Sequence, residues 1–236
     1  MKSPHQTYLN WSTGKDSALA LYHLQQLEPY HISHLLTSVN EEHNRVSMHG
    51  LRRSLLDKQV AALDIPCSTV ELPAQPDMVV YESRMNTAVL KLAALGCSHA
   101  AFGDIFLEDL KRYREQQLAP FGIKTVFPLW QQNTKALLQN FISLGFKAIL
   151  ICVDASKLDA SFAGRIIDED FINDLPDGVD PCGENGEYHT FCFDGPIFRD
   201  PVPFKVGEKV YREYDAPAGQ GSGAKAGFWF CDLSDI

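Results

Sequence analysis

The chain is predicted to be α/β: a doubly wound parallel sheet with a smaller C-terminal α+β part. Three observations predict it. Short strand-like runs alternate with helical patterns across the first 155 residues, which calls for a parallel sheet with helices on both faces. The run at residues 148–153 (AILICV) is continuously apolar, as expected of a strand buried on both faces. The segment at 10–17 (NWSTGKDS), rich in small and polar residues, stands between the first strand and the first helix. Open sheets of this class bind ligands at the carboxyl ends of their strands, where that segment falls.

The elements follow in order. Residues 7–11 are a strand, and 17–27 a helix with Ala18, Leu19, Leu21, Tyr22 and Leu24 on one face. Residues 33–39 (SHLLTSV) are the second strand, followed by a helix over 51–63. A strand at 67–72 is punctuated by Pro66 and Pro73, and the helix over 77–95 stops at Gly96. A strand at 99–102 ends in Gly103, a charged helix covers 107–120, and a short strand follows at 124–127. A helix over 134–144, closed by Gly145, leads into 148–153, the sixth strand expected in the parallel sheet. Beyond 155 the rhythm changes to a helical stretch at 168–173 and strands at 206–214 and 228–233, with a flexible loop over 218–227. The expected division is therefore a nucleotide-binding part, 1–155, and a smaller substrate-facing part, 156–236.

Composition narrows the function classes. With 45% hydrophobic residues the 236-residue chain can bury a sizeable core. No apolar run reaches the roughly 20 residues that cross a bilayer, and MKSPHQTYLNW lacks a secretory h-region. A net charge of −9 argues against a general nucleic-acid or anionic-membrane binder. Cys67, Cys97, Cys152, Cys182, Cys192 and Cys231 show no C-x-x-C spacing and read as reduced thiols of a cytoplasmic protein.

In the first loop, Ser12, Thr13 and Gly14 are small enough for backbone N–H groups to face an anion, and the helix behind them adds its positive end. Lys15 adds a cation, Asp16 suits a magnesium ion bridging phosphates, and Ser17 can donate a hydroxyl or cap the helix. The loop is not a Walker A motif, because Leu9 and Asp16 stand where that pattern needs Gly and Ser or Thr. The second dense cluster is 179–191 (VDPCGENGEYHTF), a run of turn and polar residues suited to presenting groups to a ligand. It is not a zinc-deaminase site, since Asn185 holds the second Cys position. Cys182 reads as a packed thiol or, for a sulfur-transfer route, a nucleophile.

Residues 12–17 resemble the S-G-G-x-D-S loop of the ATP pyrophosphatases, the PP-loop enzymes of the adenine nucleotide alpha hydrolase-like superfamily. Thr13 replaces the first Gly of that loop, so the loop must either take an ordinary conformation there or bear strain. Residues 180–191 resemble the D-P-x-G-E-x-G-E-[FY]-x-T-F signature of the diphthine–ammonia ligase branch. Asp180, Gly183, Glu184, Gly186, Glu187, Tyr188 and Thr190 match it, and MHG (48–50), GDI (103–105), PLW (128–130) and GRIID (164–168) follow the same branch.

The resemblance implies an AMP-forming ligase that uses ATP, Mg2+ and ammonia, adenylating a carboxylate or carbonyl acceptor before amidation. In that branch the acceptor is diphthine on elongation factor 2; here it is a protein side chain or a small molecule. The resemblance implies catalytic roles for Lys15, Asp16, Glu184 and Glu187, with Asp16 holding the metal. ATP would contact Ser12, Thr13, Gly14, Lys15, Asp16, Ser17 and Gly103, with adenine over the strand end from Thr37 to Val39. Substrate would meet His49, Asp104, Gly183, Asn185, Gly186, Tyr188 and Thr190. Asp104 equally suits a cap for the helix after it, and Arg165 with Asp168 suits an ion pair or the cavity wall. The charged helix at 107–120 reads as a solvated face, with one arginine free to reach pyrophosphate. Two other classes remain open, an ATP-binding regulator of the universal-stress type and a PP-loop enzyme modifying tRNA; the charge counts against the second. The Phe- and Trp-containing C-terminal strands suit a homodimer interface.

Overall fold

The computed structural model describes residues 4–215 and 225–236. Most of the expected loop at 218–227 therefore lies outside the described residues; its last three residues are strand. The first half holds β1 (His5–Asn10), α1 (Lys15–Gln25), β2 (Tyr30–Asn40), β3 (Arg45–Val46), α2 (Arg53–Leu63), β4 (Cys67–Leu72), α3 (Met78–Ala94), β5 (His99–Ala101), α4 (Glu108–Leu118) and β6 (Lys124–Val126). Then come α5 (Thr134–Ser143), β7 (Lys147–Asp154), α6 (Glu169–Asp174), β8 (Tyr188–Asp194), β9 (Lys205–Asp215) and β10 (Lys225–Ser234). Local chemistry sets several starts. Asp77, Asn133 and Asp168 each accept a backbone N–H three residues on, capping α3, α5 and α6.

The first sheet runs β4-β2-β1-β5-β6, all parallel, with the two-residue β3 antiparallel beside the far end of β2. The chain steps outward from β1 through β2 to β4, then returns to the other side of β1 for β5 and β6. The order therefore reverses between β1 and β5, the switch point at which such sheets open a crevice. Side chains alternate across the sheet with the period of a strand. Tyr8, Leu36 and Ala100 face a core beneath α3 and α4, whereas Leu9, Leu35 and Ala101 face the larger core shared with α1, α2 and α5.

The expected sixth parallel strand is not in this sheet. β7 pairs antiparallel with β8 and β10 in a second sheet ordered β8-β7-β10-β9. Its residues Ala148–Val153 are buried on both faces, as expected. A continuous apolar run reads alike in a parallel sheet and at the covered centre of an antiparallel one, and only the partners differ. The large core continues unbroken across both sheets, from Leu9 and Leu21 to Ile149 and Phe191.

Gln59 of α2 pins the sheets together. Its side chain is fully buried and accepts from Trp11 Nε1 at 2.7 Å. It donates to the carbonyls of Thr13 at 3.0 Å and Cys192 at 2.6 Å. Gln59→Leu leaves the indole N–H and two carbonyl lone pairs unpaired, and should lower unfolding free energy by about 2–3 kcal/mol in denaturant titrations.

Candidate active site

A cleft of about 400 Å³ lies outside the carboxyl ends of β1, β2 and β5, at the switch point. One wall is the loop from β1 to α1, another is the segment after β5, and the third is the 183–190 segment leading into β8. Two stretches 170 residues apart in sequence thus face each other across a space large enough for a nucleotide.

In the first wall, Thr13 carries φ +73° and is wholly buried. The sequence left open an ordinary conformation or strain; the structure has the strain, which costs about 1–3 kcal/mol for such a residue. The left-handed turn is imposed from outside, because the Thr13 carbonyl accepts from both Cys192 N at 2.9 Å and Gln59 Nε2. Gly14, by contrast, is extended, with φ −91°. Its lack of a side chain serves proximity: a Cβ there would stand 3.1 Å from the His49 ring and 3.2 Å from Thr190. The N-terminus of α1 has no side-chain cap, so its first-turn N–H groups are free for an anion except that of Lys15, which donates to Thr190 Oγ1 at 3.0 Å. Ser12 and Ser17 hydroxyls meet at 3.1 Å beneath the turn.

Lys15 is buried, and its Nζ touches both Asp16 carboxylate oxygens at 2.9 and 2.7 Å. It also donates to the Cys182 carbonyl and lies 5.1 Å from the Tyr188 ring centre. Burial opposes its charge, but the Asp16 carboxylate outweighs burial and its pKa stands above the usual lysine value. Burial raises the Asp16 carboxyl; Lys15 offsets part of the rise, and Asp180 and Asp104 add to it.

Glu184 crosses the cleft and accepts from Ile105 N at 2.7 Å and Phe106 N at 3.3 Å, tying the β8 loop to the segment after β5. Burial pushes its carboxyl up to about 7, opposed by those backbone donors and assisted by Asp16 and Asp104. Asp104 is not a helix cap: Leu107 holds that position of α4, and Asp104 instead pairs with Arg114 at 2.7 and 3.0 Å. Arg114, stacked 4.2 Å over Phe102, is the arginine of the charged helix that reaches the cleft. Lys111 and Arg112 make surface pairs.

Ser12, Lys15, Asp16, Ser17, Thr37, His49, Gly103, Asp104, Gly183, Glu184, Gly186, Tyr188 and Thr190 all line the cleft. Five expected residues do not, Thr13 and Gly14 of the first turn among them. Val39 is buried in the core. Glu187 is buried, and its carboxylate accepts from Asp180 N, Asn185 N and Asn185 Nδ2 at 3.0–3.1 Å, so it shapes its own loop rather than facing a substrate. Asn185 is exposed and serves that same carboxylate. Cys182 donates its thiol to Thr134 O at 3.2 Å, and burial raises its pKa far out of the nucleophilic range, the packed thiol of the two alternatives. Arg165 pairs with Asp174, and Asp168 caps α6; they do not pair with each other or reach the cleft.

Sequence reasoning missed Gln59 and His189. No local pattern singles out a glutamine inside an amphipathic helix. His189 lay within the motif between two matched positions, and its ring stacks 4.7 Å from that of His49. Burial, then each other and Lys15, hold His49 far below the usual histidine value; burial and Lys15 bring His189 down to about 4. Both rings are neutral at pH 7.

The fold and the site define an α/β protein with an uncapped helix N-terminus at its switch point and a second, antiparallel sheet closing over it. A model of the diphthamide synthase N-terminal domain matches residues 5–125, and one of the C-terminal domain matches 133–218. The chain belongs to the diphthamide synthase family. It is 35% identical to a diphthine–ammonia ligase of Bos taurus over 116 residues, covering 47% of this chain and 43% of the relative. Against the diphthine–ammonia ligase of Danio rerio it is 36% identical over 121 residues, covering 49% and 48%. The match thus spans less than half the length of these curated relatives.

Two outcomes test the geometry. A Cβ at Gly103 would lie 2.9 Å from the Asp16 carbonyl carbon and 3.0 Å from its oxygen. Gly103→Ala must therefore push the strand end off α1, at about 1–3 kcal/mol in denaturant titrations, and lower nucleotide affinity. Glu184 holds its proton to about pH 7 folded against an ordinary 4.5, so wild-type stability falls as pH rises between those values. Glu184→Gln keeps the acceptor oxygen without titrating. It should gain about 1–3 kcal/mol over wild type between pH 5 and pH 8, measured by urea unfolding.

Proposed function

We propose that the protein is an ATP-dependent, AMP-forming ligase that amidates a carboxylate acceptor with ammonia. The observation that carries this reading is the convergence of the 12–17 loop and the 183–190 segment on one cleft, with Lys15 touching both. On this reading, the parallel sheet serves the nucleotide and the antiparallel sheet presents the acceptor. Adenine lies against the carboxyl end of β2 near Thr37 and Ser38, and the β,γ-phosphates lie over the N–H groups of Asp16 and Ser17.

Lys15 exchanges its Asp16 partner for phosphate oxygens and stabilises the charge that builds on departing pyrophosphate. An acceptor carboxylate oxygen attacks the α-phosphorus, the bond from that phosphorus to the α,β-bridging oxygen breaks, and pyrophosphate leaves with the bonding electrons. The ammonia lone pair then attacks the acyl carbon, AMP leaves with the bonding electrons, and the nitrogen sheds a proton. Glu184, titrating near 7 beside that point, is the proton acceptor we assign. Glu187 has no such role, because its oxygens are already bonded. Arg114 and Asp104 form the cleft wall toward the acceptor.

The carboxylates facing the cleft fit a magnesium ion: Asp16, freed from Lys15, would hold it, and Asp104 and Asp16 already leave negative charge around Glu184. Among the described residues no three metal-ligating side chains cluster, which suits an ion held by one carboxylate together with phosphate oxygens. When bound, the ion neutralises phosphate charge. The printed name of the relatives supports diphthine as the acceptor. The six cysteines are free thiols, which supports a cytoplasmic setting, and no helix among the described residues is long and apolar enough to cross a membrane.

The test is the fate of ATP labelled at the α-phosphate, with ammonium and a diphthine-bearing acceptor. AMP and pyrophosphate are expected. ADP and phosphate would overturn the reading, and binding without turnover would favour a regulator. Lys15→Met should lower kcat by about 10²–10³-fold, the range for removing one transition-state donor, with secondary structure retained by circular dichroism.

A further inference from the structure

β9 is the outer strand of the second sheet, and among the described residues it pairs with β10 alone. Every residue from Lys205 to Tyr214 is exposed, including Val206, Val210, Tyr211 and Tyr214. An eleven-residue edge without proline, carrying apolar side chains, is a template for another strand.

The sequence of this edge is complementary to itself. Consider a two-fold axis perpendicular to the sheet and passing beside Val210, so that two copies of β9 run antiparallel. Each residue then faces the one equally distant on the other side of Val210. On the face shared with Phe228 and Phe230, Val210 meets Val210 and Glu208 meets Arg212, the unlike pair occurring twice, while Val206, set against Leu233 past a bulge in β9, turns to the other face. Opposed charges directly across a strand pair stabilise it, and like charges destabilise it. Sliding the register by two residues one way sets Lys209 against Lys209; sliding it the other way sets Val210 against Arg212 twice. Only the register centred on Val210 matches apolar with apolar and acid with base along this face. The tyrosine at its end packs beside Phe228 and Phe230 of its own sheet, at 6.1 and 6.2 Å.

We propose that the chain forms a homodimer by antiparallel pairing of two β9 edges about Val210, joining two four-stranded sheets into one of eight strands. The surface lies outside the cleft, so the proposal stands independently of the catalytic reading.

Sedimentation of the full chain over a range of concentrations tests it. The wild type should run at twice the chain mass. Glu208→Arg and Arg212→Glu each place like charges opposite one another twice and should weaken association at least tenfold, while the double substitution E208R/R212E should restore it. All three sites of change are exposed, and circular dichroism checks the fold of each variant. Val210→Cys should cross-link to a dimer with a short bismaleimide, a readout that needs no charge change. A wild type that stays monomeric at every concentration overturns the proposal. So does a dimer indifferent to both single substitutions, or a charge swap that folds but fails to re-associate.

Discussion

The seam where the β1–α1 loop meets β8 holds the molecule's working geometry. Thr13 O accepts the Cys192 N–H, Lys15 N donates to Thr190 Oγ1, and Gln59 braces the same carbonyl from α2. The first two bonds join the parallel sheet to the antiparallel one, and all three are buried, where an unpaired group costs more than a paired one gains. The left-handed turn at Thr13, the bare N-terminus of α1 and the closeness of Gly14 to Thr190 are consequences of that seam. A loop free in solution would not place a threonine at φ +73°, and this one does because two donors hold its carbonyl in place.

The electrostatics follow from the same closure. Sealing Lys15 between Asp16, the Cys182 carbonyl and the Tyr188 ring removes it from water, and the adjacent carboxylate, helped by Cys182 and Glu184, keeps it charged. The field of that lysine, together with burial, holds His189 neutral. Asp16 beside Lys15, Asp104 after β5 and Glu184 before β8 bring three carboxylates to the cleft, and the first two assist burial in lifting Glu184. A polyanion entering with a cation would relieve both imbalances at once.

Much of this was legible in the chain. Period and punctuation located six of the seven strands to β7, all but the two-residue β3, and the five helices among them, with Gly96 and Gly145 marking ends by local chemistry. The two motifs identified the loops that form the cleft. What was not legible depended on partners distant in sequence. Residues 148–153 were recognised as a buried strand, but the choice of sheet rests on β8 and β10, which arrive 40 and 80 residues later. Glu187 occupies a motif position for the sake of its own loop, because two glycine turns leave backbone N–H groups that need an acceptor. Asp104 looked like a cap because it stands four residues before α4, yet Arg114, ten residues on, claims it.

The strained threonine makes the curvature of the β1–α1 loop a property of the assembled chain: the loop supplies the atoms, and β8 with Gln59 supplies the shape. An excised N-terminal half with every strand in place would have the residues of the loop without its curvature. Anything that loosens β8, even a substitution well away from the cleft, would be felt at Thr13, so the curvature of this loop reports how firmly the second sheet is seated.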